Sequence, residues 1–179
     1  MKEYSILQSE QIFVGRVITL KVDAITLPNG QTTKRETAHI ADAAALLPID
    51  ADGMVHLVRQ YRHSVRGMVL EIPAGLVDEG EDPEVCAARE LEEEIGLKAG
   101  KIAKLCAFNG LIGASDSLVH LYIGTNLTIG KQNLDADEFI SVEKFTIDEC
   151  EKMIKNGEII DAKTIMAIAY VRMMPELLE

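Results

Sequence analysis

The stretch at 88–97, ARELEEEIGL, constrains this chain more than any other. Glutamates stand at positions 90, 92, 93 and 94, between Arg89 and Gly96. Asp82 is a good N-cap, Pro83 suits the first helical position and Gly96 is a natural stop, so the spacing predicts a helix over 83–95. Ala87, Leu91 and Ile95 recur at helical intervals as a modest apolar stripe, with Glu84 and Ala88 alongside. Glu90, Glu93 and Glu94 then fall within an arc of about 100° opposite much of that stripe, while Glu92 points elsewhere. Like charges at this spacing repel by about 0.2–0.5 kcal/mol per pair. Two readings are open: an acidic face left to solvent, or an oxygen-ligand site for a hard divalent cation.

The rest of the chain frames that helix with strands. The segment QIFVGRVITLKVDAITL is rich in β-branched residues, and PNGQ at 28–31 supplies an Asn-Gly turn. AAALLPID and MVHLVRQYR flank the turn ADG at 51–53, and MVLEIPAG is a further strand closed by Pro73 and Gly75. KIAKLCAF, LVHLYIGTNL and EFISVEKFT follow, then two helices over IDECEKMIKNG and DAKTIMAIAYVRMM, the second opened by Asp161. The expected class is α+β.

Composition narrows the function. The chain has 179 residues, 47% hydrophobic, enough for one core. A formal net charge of −11 argues against binding nucleic acid. No apolar run approaches the roughly 20 residues of a membrane helix, and the first residues lack a secretory pattern. Three scattered cysteines, Cys86, Cys106 and Cys150, form no disulfide framework, and the expected compartment is the cytoplasm. The four histidines show no metal-ligand spacing. Cys86 is expected on the carboxylate side of the helix, where negative neighbours discourage a thiolate.

From 75 to 97 the sequence reads GLVDEGEDPEVCAARELEEEIGL. This resembles the Nudix box, Gly-x5-Glu-x7-Arg-Glu-U-x-Glu-Glu-x-Gly-U with U a bulky aliphatic. Gly75, Glu81, Arg89, Glu90, Leu91, Glu93, Glu94, Gly96 and Leu97 fill every defined position. VRQYRHSVRGMVLEIPAG at 58–75 and the N-terminal ITLPNG…RE are similar to the ADP-ribose pyrophosphatase branch of that family.

The resemblance implies an α/β/α sandwich with a mixed sheet, residues 41–179 forming the hydrolase domain. Residues 1–40 would be an antiparallel strand region that forms a homodimer. It implies Mg²⁺, with Mn²⁺ as a substitute, on Glu90, Glu94, nearby Glu93 and the carbonyl of Ala74. It implies water attack on the diphosphate of a nucleotide substrate, ADP-ribose giving AMP and ribose 5-phosphate. Arg89 would orient a glutamate, Arg62 would contact the diphosphate, and Arg35 and Glu71 would help form the nucleotide pocket. In DADEFI at 135–140, Glu138 fits the second glutamate of a family pattern and Ala136 replaces the first, so Glu138, or else Asp116, is the expected general base. Phe13 and Tyr4 are both candidates to stack on adenine.

The branch commonly carries Ser-Pro-Gly-x-Ser-x-Glu after the box. Here 109–117 reads NGLIGASDS, without the proline and with Asp116 and Ser117 in place of glutamate. That departure keeps other substrates open: another nucleotide sugar, a dinucleoside polyphosphate or NADH. A nucleotide-binding module without catalysis is a further alternative.

Overall fold

The computed structural model describes residues 3–178. The chain divides into two compact units, 1–42 with 109–118, and 43–108 with 119–179.

The first unit is an antiparallel meander of β1 (Ser5–Val14), β2 (Thr19–Thr26) and β3 (Thr32–His39), in the order β1-β2-β3. The expected turn closes β2 onto β3: Leu27 N–H donates to the Gln31 carbonyl at 2.7 Å and Gly30 N–H to Leu27 at 2.8 Å. Residues 109–118, which sequence alone presents as a connection between strands, belong here. Ala38 N–H donates to the Ala114 carbonyl at 2.8 Å, and Leu118 N–H to Asp42 Oδ1 at 2.9 Å. His39 Nδ1 lies 2.8 Å from Asp116 Oδ2.

The second unit holds the helices and two sheets. Its mixed sheet runs β7-β4-β9-β8, from β4 (Ala43–Pro48), β7 (Ala74–Leu76), β8 (Leu97–Phe108) and β9 (Val119–Ile129), with β4 and β9 parallel and the other pairs antiparallel. A smaller antiparallel sheet runs β10-β5-β6, from β5 (Val55–Arg62), β6 (Gly67–Glu71) and β10 (Ser141–Phe145). The expected strand–turn–strand at 51–53 is present, with Asp50 N–H donating to the Met54 carbonyl at 3.0 Å. The turn carries the chain from one sheet to the other, with a single Ile49–Val55 bridge between the flanking strands.

Period-two alternation builds the sandwich. On β4, Ala44 and Leu46 pack on one side with Cys86, Ala87 and Leu91 of the helical layer, joined by Tyr122 of β9. Ala45 and Leu47 face the other side with Leu121 and Ile123 of β9. There they meet α2 (Ile147–Asn156) through Cys150 and Met153, and α3 (Ala162–Met173) through Ala167, Ile168 and Val171. This is the expected α/β/α sandwich on a mixed sheet. Because both faces are covered, truncating Leu46 or Leu47 to Ala should cost about 2–5 kcal/mol.

The caps follow the sequence. Asp82 accepts from Glu84 N–H at 2.8 Å and opens α1 (Pro83–Glu90). Thr146 and Glu149 form a capping box on α2. Asp161 caps α3 by accepting from Thr164 N–H at 3.0 Å. One expectation is corrected. The glutamate helix is α-helical only to Glu90, and Leu91–Ile95 is a π-helical turn ended by Gly96 at φ 73°. Cys86 is buried in the core of that layer with Arg89 Nη2 3.4 Å from its Sγ, and burial, with Glu81 and Glu90 adding to it against the charge of Arg89, pushes its thiol up to about 12.

Candidate active site

The site is built where β7 meets the glutamate helix. The wider π turn, whose hydrogen bonds skip five residues instead of four, carries Glu94 inward. Glu94 is 2% exposed, and its Oε2 accepts from the Ala74 backbone N–H at 3.1 Å. Burial, with Glu90 and then Glu138 adding repulsion, pushes its carboxyl up to about 8, against the Ala74 hydrogen bond and the charge of Arg62. Glu90 is also raised, by burial first, with Arg89 opposing and Glu93 and Glu138 adding to the shift.

Gly75 is required by contact. A Cβ there would lie 2.0 Å from Glu90 Oε1 and 2.2 Å from its carboxyl carbon, so only a glycine lets this carboxylate close against the strand.

Arg89 organises the remaining acids. Its Nε and Nη2 grip Glu81 Oε1 and Oε2 at 3.0 and 3.1 Å, a bidentate fork. Its Nη1 donates to Glu90 Oε1 at 2.6 Å and to Glu93 Oε2 at 2.9 Å. Glu81 is held down at about 2 by that arginine. Arg89 therefore positions three glutamates at once.

A cleft of about 350 Å³ in the same unit is lined by Arg62, Val69, Glu71, Asp161 and Lys163. Glu71, 2% exposed, accepts from Arg62 Nε at 2.6 Å through Oε1 and from Lys163 Nζ through Oε2. The Arg62 side chain remains 41% exposed. Burial works against its charge, and the Glu71 pair more than offsets that, so its pKa stands above the ordinary value. Sequence reasoning found Arg62 and Glu71 but missed Lys163. Its only signal was a cation two residues after the Asp161 cap, in DAKT.

The other expected residues are placed as follows. The Glu138 charge reaches both Glu90 and Glu94, while its Oε2 accepts from Asp135 N–H at 3.1 Å. Asp116 lies in the first unit, paired with His39, which holds its carboxyl below the ordinary value. Arg35, on β3, is exposed and donates to Thr33 Oγ1 at 3.3 Å and the Lys34 carbonyl at 2.9 Å. Tyr4 and Phe13, both on or beside β1, are exposed.

The donor set suits a hard divalent cation. Glu90, half-buried, and Glu94, buried, offer carboxylate oxygens, and among the described residues Glu94 meets no cationic hydrogen-bond donor. Among the described residues no three acidic, histidine or cysteine side chains converge as a ready cage, because Glu90 and Glu93 turn to Arg89.

The family model for the NUDIX domain matches residues 39–168. The chain belongs to the Nudix family and is a pyrophosphohydrolase. Members of this family generally use a divalent metal ion. The chain is 40% identical to a methanol dehydrogenase activator of Bacillus methanolicus, over 98% of this chain and 96% of that protein. It is 39% identical to an ADP-ribose pyrophosphatase of Bacillus subtilis (strain 168), over 96% of this chain and 94% of that one. The corresponding figure for an ADP-ribose pyrophosphatase of Mycobacterium tuberculosis is 31%, over 94% and 83%. A crystal structure of an ADP compounds hydrolase matches with a TM-score of 0.88 at 20% identity, over 99% of this chain and 97% of that one, a likeness of fold. Among the described residues no helix is long and apolar enough to cross a membrane.

Proposed function

We propose that this chain hydrolyses the diphosphate bond of a nucleoside diphosphate sugar, with ADP-ribose as the preferred substrate and AMP and ribose 5-phosphate as products. The observation that carries the reading is Glu94, a carboxylate only 2% exposed that closes on the Ala74 N–H beside Glu90. Such a pair is costly to keep unless a ligand of high positive charge uses it. Mg²⁺, with Mn²⁺ as a substitute, would be held by Glu90 and Glu94, with Glu93 and the Ala74 carbonyl contributing. When bound, the cation neutralises phosphate charge and makes water more acidic.

The chain's own groups do the rest. Arg62 presents a half-exposed guanidinium to the diphosphate, whose oxygens match its fork. Glu138 takes the proton of the attacking water. The water oxygen bonds to one phosphorus, the bridging P–O bond breaks, and the other phosphate leaves with the bridging oxygen. Arg35 and Glu71 contribute to nucleotide recognition. The protein works in the cytoplasm as a homodimer formed through residues 1–40, with 41–179 as the hydrolase domain.

Two relatives named ADP-ribose pyrophosphatase support the substrate. The altered segment at 109–117 supports a second reading, the same chemistry on another nucleoside diphosphate derivative. A panel of ADP-ribose, ADP-glucose, GDP-mannose, NADH and diadenosine polyphosphates, with Mg²⁺ and with chelator, decides. Preference for ADP-ribose is expected, and preference for another member makes 109–117 the specificity element. Binding without turnover of any member contradicts both and selects a nucleotide-binding regulator, a role suggested by the relative named as an activator.

A further inference from the structure

Glu71 is a carboxylate with two cations, and the two are not equivalent. Lys163 Nζ is enclosed, its side chain 14% exposed, whereas Arg62 opens onto the cleft with 41% of its side chain exposed. Lys163 is anchored a second time, by Asp161 Oδ1 at 3.0 Å. Asp161 is itself fixed as the cap of α3, taking Thr164 N–H at 3.0 Å and the Thr164 hydroxyl at 2.6 Å. That hydroxyl oxygen in turn accepts from Ile72 N–H at 2.9 Å, next to Glu71 in the chain. Lys163 is thus built into the wall, and Arg62 is the partner free to turn.

The distinction matters when a diphosphate enters. A guanidinium that turns from a buried carboxylate to a phosphate leaves that carboxylate uncompensated, which is strongly unfavourable unless another cation stays behind. From this geometry we infer that Lys163 is a positioning residue: by staying on Glu71 it releases Arg62 to the substrate phosphates. The inference rests on the proposed role of Arg62 and adds a residue that never touches substrate.

The test is a double-mutant cycle on the full chain, with ADP-ribose turnover in Mg²⁺ and calorimetric binding of α,β-methylene ADP-ribose, whose bridge does not hydrolyse. Lys163→Met should raise KM and weaken analogue binding by about tenfold or more while kcat changes little, because Arg62 is then pinned as the cation left on Glu71 among the described residues. Lys163→Arg should restore most of that affinity. In a Glu71→Gln background no carboxylate holds Arg62, so adding Lys163→Met should cost almost nothing. A Lys163→Met penalty that persists in the Glu71→Gln background, or that falls on kcat, overturns the inference and leaves Lys163 a structural or substrate-contacting group. If Lys163→Met alone does not fold, the uncharged pair Glu71→Gln/Lys163→Met is compared with Glu71→Gln, and unequal affinities overturn it. A wild-type chain that neither binds the analogue nor turns over ADP-ribose overturns the proposed function as well, whereas normal wild-type behaviour with no coupling overturns this inference alone.

Discussion

Gly75 and Glu90 stand so close that a β-carbon on Gly75 would lie 2.0 Å from Glu90 Oε1. The clashing atoms are the end of a flexible side chain, so Gly75→Ala should leave the fold intact and displace the carboxylate. Displacement of a reacting group by about 1 Å can cost on the order of 100-fold in rate. We expect a loss of that size in kcat/KM with an unchanged circular dichroism spectrum. Full activity of Gly75→Ala would show that Glu90 does not work from this position.

The raised carboxyl of Glu94 makes a pH prediction with a definite sign. Its pKa rises from 4.5 to about 8 on folding, so between those values the folded chain holds a proton that the unfolded chain has released. Stability from this group is complete below 4.5 and is lost as pH rises through about 8. In chelator, Tm should therefore fall between pH 5 and pH 8, and Glu94→Gln should flatten that slope. Glu81, held at about 2, titrates below this window and does not obscure it. A wild-type slope in Glu94→Gln would contradict the assignment.

Arg89 holds Glu81, Glu90 and Glu93 together, and a lysine cannot reproduce its fork. Arg89→Lys should lower kcat clearly and cost about 1.5–3 kcal/mol of stability as charge-assisted bonds are lost. Denaturant melts and steady-state rates measure the two effects separately. An unperturbed rate would reduce Arg89 to a surface ion pair.

Glu138→Gln should reduce kcat by about 10²–10⁴, the usual range for a general base. A wild-type rate would remove Glu138 from that role, and Asp116→Asn is then the variant to measure.

Much of this was legible in the residues because the signals were local. Asp82, Pro83 and Gly96 bound the glutamate helix through cap chemistry, and the box lies along a single strand–loop–helix segment. What stayed hidden depends on long-range contact. The π turn that buries Glu94 leaves no periodic trace in five residues. The Lys163–Glu71 pair joins positions 92 apart, and nothing local announces it. The passage from one sheet to the other after the turn at 51–53 stayed hidden because turn chemistry does not say which sheet the next strand joins.

The central claim is that the Glu90–Glu94 pair holds a divalent cation for diphosphate hydrolysis. The most direct measurement is AMP release from ADP-ribose across a Mg²⁺ titration, for wild type and Glu94→Gln side by side. The account predicts saturable Mg²⁺-dependent turnover in wild type, none with chelator, and none in a folded Glu94→Gln at any Mg²⁺ concentration. Wild-type turnover that survives chelator, or a Glu94→Gln variant with the wild-type Mg²⁺ response, would contradict it.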